Sequence, residues 1–119
     1  MAATDLPIIT PVGPYPALPV AALALDIAFT AADVANGNAF VATGKEILLM
    51  HNADASSHNV TLTSQPINGR TGDIANYALG AGLYAAFEFS STAGWLESDD
   101  GRIHISADNA QVEFAVIRR

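Results

Sequence analysis

The 119-residue chain contains no cysteine. That absence removes disulfide frameworks, thiolate metal sites and cysteine nucleophiles together. Basic residues are almost as scarce: five Lys and Arg stand against twelve Asp and Glu, a formal charge of −7. Nucleic-acid binding begins with Lys and Arg neutralising phosphates, so no nucleic-acid partner is expected. The same sign disfavours an anionic membrane surface. Nor is there a long apolar run. The most apolar stretch, residues 20–35, is interrupted by Asp26 and Asp33 and is too short to span a bilayer. No Lys or Arg precedes Lys45, so the basic start of a signal peptide is missing and an intracellular site of synthesis is expected. The glycosylation triplet Asn59-Val-Thr61 is then a coincidence within a strand.

Charge of either sign is short. Only 14% of the residues are charged, against about 25% in ordinary domains, while 50% are apolar. A chain so composed has little with which to cover a water-facing surface, which favours a subunit that covers part of itself with partners. Its length suits one domain.

Five of the six prolines fall in the first 19 residues: Pro7, Pro11, Pro14, Pro16 and Pro19. This spacing forbids a helix and removes donors that a central strand needs. Residues 1–22 are therefore expected to form an extended N-terminal arm, and residues 23–119 a separate body. At ~3.1 Å per residue the arm reaches ~60 Å, against ~35 Å for the width of a compact body. The arm also carries Leu6, Ile8, Ile9, Val12, Tyr15, Leu18 and Val20. Solvated tails are poor in such side chains, so the arm is expected to lie in a groove, on its own chain or a neighbour. Leu6, Pro7, Ile8, Ile9, Pro11, Val12, Tyr15 and Pro16 are its expected partner-binding residues.

Beyond residue 23 the apolar period is mostly two. Leu25, Ile27 and Phe29 alternate with Asp26, Ala28 and Thr30; Val60 and Leu62 alternate with Asn59, Thr61 and Thr63. Leu83, Ala85, Phe87 and Phe89 share one phase, Ile103 and Ile105 flank His104, and Val112, Phe114 and Val116 form the last set. These predict half-buried strands. Glu46-Ile-Leu-Leu-Met50 is a continuous run, expected of a strand covered on both faces. Asn36-Gly37, Asn68-Gly69 and Asp100-Gly101 supply turn chemistry between the runs. Seven or eight short strands predict an all-β sandwich or barrel.

Catalytic and metal chemistry finds little support. His51, His58 and His104 are the only imidazoles, without His-x-x-x-His spacing, so no metal and no other cofactor is expected. Glu97-Ser-Asp-Asp-Gly101 lacks the ligand spacing of a calcium loop. There is no Gly-x-Ser-x-Gly elbow and no phosphate-cradling loop, so no catalytic residue is assigned and the chain is not expected to be an enzyme. Phe87 and Phe89 share the inward phase and belong to the core. Trp95, beside Gly94 in a loop, is kept as a possible surface contact.

The order of motifs then becomes informative. Ala31-Ala-Asp-Val-Ala-Asn-Gly-Asn-Ala-Phe40 is followed by Gly44-Lys-Glu-Ile-Leu-Leu-Met-His-Asn52, Val60-Thr-Leu-Thr63 and Ala81-Gly-Leu-Tyr84 with Phe87. Asp100-Gly-Arg-Ile-His-Ile105 and Val112-Glu-Phe-Ala-Val-Ile-Arg118 complete the series. Over about residues 25–119 this resembles the capsid decoration, or cement, proteins of tailed bacteriophages. The resemblance implies a jelly-roll-like antiparallel β-sandwich that forms a homotrimer on the outer surface of an icosahedral head. It implies the major capsid protein as partner, a virion location after synthesis in the host cytoplasm, and no fixed catalytic site. A carbohydrate- or receptor-binding sandwich of a tail or fibre, and a tail or connector subunit, are the alternatives.

Overall fold

The strand periods resolve into two stacked sheets in a computed structural model that describes residues 3–11, 26–66, 69, 72–89, 91–98 and 100–119. The described residues form ten strands and no helix. One sheet runs β1 (Thr4–Asp5), β4 (Asn38–Phe40), β9 (Ile103–Ala107), β6 (His58–Thr63) and β7 (Ile74–Leu79). The other runs β2 (Ile8–Ile9), β10 (Val112–Arg118), β5 (Glu46–Asn52) and β8 (Tyr84–Phe89), with β3 (Thr30–Ala31) also paired to β10. The fold is an all-β sandwich. Its main ladders are antiparallel, but β1 with β4 and β2 with β10 are parallel, so each sheet is mixed rather than purely antiparallel.

The inward phases expected from alternation fill the core. Val60, Leu62, Ile103, Ile105, Val112, Phe114 and Val116 are all buried, with Phe40, Leu48, Leu79 and Phe89 among them. Phe40 meets Phe89 edge-on, with ring centroids 5.6 Å apart. Gly37 takes a φ of 76°, which an L side chain adopts only at a cost, and a Cβ there would stand 3.2 Å from the Ile105 carbonyl oxygen. Asn36-Gly37 is thus a turn for both reasons.

The described part of the arm, residues 3–11, pairs with the body. Thr4–Asp5 pairs with Asn38–Ala39 of one sheet, and Ile8–Ile9 pairs with Val116–Ile117 of the other. Between them Leu6 is buried in the core, and its N–H donates to the Ala39 carbonyl at 2.8 Å. Residues 4–9 therefore bridge the two sheets along one edge of the sandwich. The expected boundary at residue 22 lies outside the described residues. The Thr4 hydroxyl adds a 2.6 Å hydrogen bond to Asp33, and with the Asn36 N–H it holds the Asp33 carboxyl below the usual carboxylate range.

Two expectations from alternation are corrected. The described part of the Leu25-x-Ile27-x-Phe29 run makes no ladder; only Thr30–Ala31 does, and Ile27 is exposed. Leu83, expected inward with Phe87, is 59% exposed. It precedes β8: its N–H donates to the Gly80 carbonyl at 3.1 Å and its side chain folds back over Gly80, where an added Cβ would stand 2.7 Å from Leu83 Cδ1.

At the start of β5 the inward position is taken by Glu46, which is fully buried. Its carboxylate accepts hydrogen bonds from the N–H groups of Thr43, Gly44 and Lys45 and from the Thr43 hydroxyl. Arg118, its cross-strand partner on β10, donates Nε–H at 2.5 Å. Burial pushes the Glu46 pKa up, but Arg118 and the Thr43 groups outweigh it and hold the carboxyl at about 2. This carboxylate ties the β4–β5 loop to the C-terminal strand.

Candidate functional site

Strand register fixes which side chains share a face, and the two outer faces of the sandwich differ sharply. On the β4–β9–β6–β7 sheet the outward phase carries Asn59, Thr61, Thr63, His104 and Ser106. Hydroxyls and amides suit a face turned to water. On the other sheet, Ile9, Ile117, Ile47 and Glu88 lie in one outward row, and Ala115, Leu49 and Ala86 in the next. Four large aliphatic side chains thus stand together on an outer face, each half-buried. The continuous run Glu46-Ile-Leu-Leu-Met50 has its physical reading here: Leu48 and Met50 fill the core, while Ile47 and Leu49 form the outer patch.

The third outward row bounds the patch with polar and aromatic groups. Glu113, His51 and Tyr84 are aligned across β10, β5 and β8. His51 Nδ1 is 2.8 Å from Glu113 Oε1, and its ring stacks on Tyr84 at 4.0 Å with 14° between planes. Phe29 leans on both rings at 6.2 Å. This row thus rims an apolar centre in which Ala115 is buried and Ile9, Ile47, Leu49 and Ile117 are each half-buried.

The remaining imidazoles are also paired with carboxylates. His58 lies 2.7 Å from Asp54 and 3.3 Å from Asp108; His104 lies 2.7 Å from Asp100. The His58 contact, with the Ala55 N–H, holds the Asp54 carboxyl below its ordinary value. No group of three or more His, Asp or Glu side chains fit to hold a metal occurs among the described residues. Arg102 pairs with both Asp5 and Asp100, a second link between the arm and the body.

Recesses are also formed among the described residues. A polar groove of about 270 Å³ on the hydroxyl-rich face is lined by Asn59, Thr61, Asn76, Ser106 and Asp108. Asn76 holds a φ of 54° there, and its N–H donates to the Thr61 hydroxyl at 3.1 Å. An apolar cleft of about 240 Å³ opens between β7 and β8, lined by Met50, Leu62, Ile74, Tyr77, Ala85 and Phe87 among others.

Of the expected arm residues, Leu6 lies in the chain's own core and Ile8 packs against that core. For these two, the groove belongs to the same chain. Ile9 faces outward and joins the apolar patch, while Pro7 and Pro11 are exposed. Val12, Tyr15 and Pro16 lie outside the described residues. Trp95 is half-buried, meeting Phe87 at 5.5 Å and Phe89 at 5.6 Å, both edge-on. It lies against the core, not out on the surface as a free platform.

Against protein-family models, curated proteins and solved structures, the chain matches none. The sequence reading overlooked the outer patch, although it was visible in principle. Ile47, Leu49, Ala115 and Ile117 are the off-phase members of runs whose in-phase members filled the core.

Proposed function

We propose that this chain is a structural virion protein, a decoration or cement protein that binds the outside of the assembled head of a tailed phage. The observation that carries the reading is the inequality of the two outer faces. The Ile9, Ile47, Leu49 and Ile117 patch suits the major capsid protein beneath it, and the Asn, Thr and Ser face suits water above it. A protein that binds the closed shell but not its dissociated parts stabilises the shell by mass action. It needs a rigid body and an apolar docking face, and no active site. The motif order from residue 25 onward supports the same reading by resemblance.

The test is co-sedimentation with heads of the phage whose genome encodes the chain. Wild-type protein is expected to pellet with heads, and Leu49→Asp to remain in the supernatant while keeping its circular dichroism spectrum. Equal pelleting of both proteins would refute the docking face.

The polar groove favours a second reading, a carbohydrate-binding module of a tail or fibre. Asn59, Asn76 and Asp108 offer the amide and carboxylate groups that sugar hydroxyls engage. A glycan array distinguishes the two readings: binding that is lost in Asn76→Ala would favour the second.

A further inference from the structure

Among the described residues, the edge strands β7 and β8 differ in character. At β7 the register shifts between Val60 and Leu62, and Asn76 takes a positive φ, so that edge is bent and poorly suited to pairing. Strand β8 is different. All six residues from Tyr84 to Phe89 pair in unbroken register with β5, and among the described residues no strand pairs its far side. Glu88 is its only charge, and it contains no proline and no bulge. Exposed apolar side chains stand at its start: Tyr84 is 67% exposed and the adjoining Leu83 59%.

The direction of the backbone groups follows from the ladder. Asn52 N–H donates to the Leu83 carbonyl and the Asn52 carbonyl accepts from Gly82 N–H, so the even-numbered residues of β5 turn toward β8. Their partners Ala85, Phe87 and Phe89 then bond inward to β5. The N–H and C=O groups of Tyr84, Ala86 and Glu88 are left on the free edge.

We infer that β8 pairs antiparallel with β8 of a second copy, about a two-fold axis through Ala86. This register joins the free groups of residue 86 to those of residue 86, and those of residue 84 to those of residue 88. It places Tyr84 opposite Glu88 of the other copy on the outer face, with no like charges opposed. It sets Ala85 opposite the second copy's Phe87 on the inner face, at the mouth of the apolar cleft between β7 and β8. Alanine at the axis keeps the centre free of steric conflict. The resulting pair differs from the three-fold assembly that the resemblance implies, and it rests on the edge alone, whatever the apolar patch binds. Because the axis is perpendicular to the sheet, the two Ile47–Leu49 patches face the same way, forming a bivalent surface.

A chain without cysteine makes the test clean. Ala86→Cys brings two thiols across the axis at the ~5.5 Å Cα separation of a hydrogen-bonded pair, within disulfide range. Under mild oxidation this variant is expected to run at twice 12.3 kDa on a non-reducing gel, while Ala55→Cys, on an exposed loop, stays single. Sedimentation equilibrium of the wild type should give a dimer. Tyr84→Asp places an aspartate opposite Glu88 twice per dimer and should weaken association about tenfold or more. Adding Glu88→Lys should restore it. A monomer at 100 µM order concentrations, a trimer, equal cross-linking at residues 55 and 86, or no rescue by Glu88→Lys would each overturn the pairing.

Discussion

Glu46→Gln is the substitution whose cost is most directly calculable from the structure. The carboxylate is fully buried and accepts three backbone N–H groups, the Thr43 hydroxyl and Arg118 Nε–H. Its pKa falls from 4.5 to about 2. A carboxyl so lowered favours the folded state by about 3 kcal/mol once pH exceeds its unfolded value. That contribution is complete above pH 4.5 and is lost as pH falls through about 2. Glutamine keeps the shape but sets an NH₂ group against donors and leaves Arg118 without its counter-ion. At about 4 °C per kcal/mol for a chain of this length, the melting temperature at pH 7 should fall by roughly 12 °C. Thermal melts followed by circular dichroism, at steps from pH 7 to pH 2, check both magnitude and sign. The gap between wild type and variant should be widest above pH 4.5 and narrow steadily toward pH 2. A gap of under about 1 kcal/mol at pH 7, or one that stays constant with pH, would refute the buried-carboxylate argument.

Other outcomes follow from the same packing. Leu6→Ala should cost about 3 kcal/mol, read as a lower urea midpoint, because Leu6 is a core residue between the sheets. Removal of residues 1–11 should lower the melting temperature at least as much, since it also strips the short pairings with β4 and β10. Trp95→Ala should cost about 2 kcal/mol through lost contact with Phe87 and Phe89, and leave any glycan binding unchanged.

The core was legible because its period is unambiguous. Ile103 and Ile105 around His104, and Val112, Phe114 and Val116, alternate cleanly, and all five apolar residues are buried. Turn residues marked their boundaries, as Gly37 and Gly101 confirm by their positive φ. The arm was not legible in the same way. Pairing in two-residue parallel stretches has no period to read, so Leu6 looked like a side chain in search of a partner and not one already placed. Leu83 departs from the pattern because the Gly80–Leu83 turn, not β8, sets its direction: its N–H bonds back to the Gly80 carbonyl and its side chain lies over Gly80. Glu46 lay hidden for the opposite reason: a charged residue at a strand end reads as solvated until the Thr43–Lys45 loop folds over it. The apolar outer patch depends on register across β2, β10, β5 and β8, a long-range property that one strand's pattern does not contain.

The proposed role seats the Ile9, Ile47, Leu49 and Ile117 face on a phage head, and cryo-electron microscopy of heads made with and without the gene tests it most directly. Difference density is expected on the outer capsid surface, with the β2–β10–β5–β8 sheet against the shell and the Asn59–Thr61–Ser106 face toward solvent. Heads that show no added density, or density with the hydroxyl face against the shell, would contradict it.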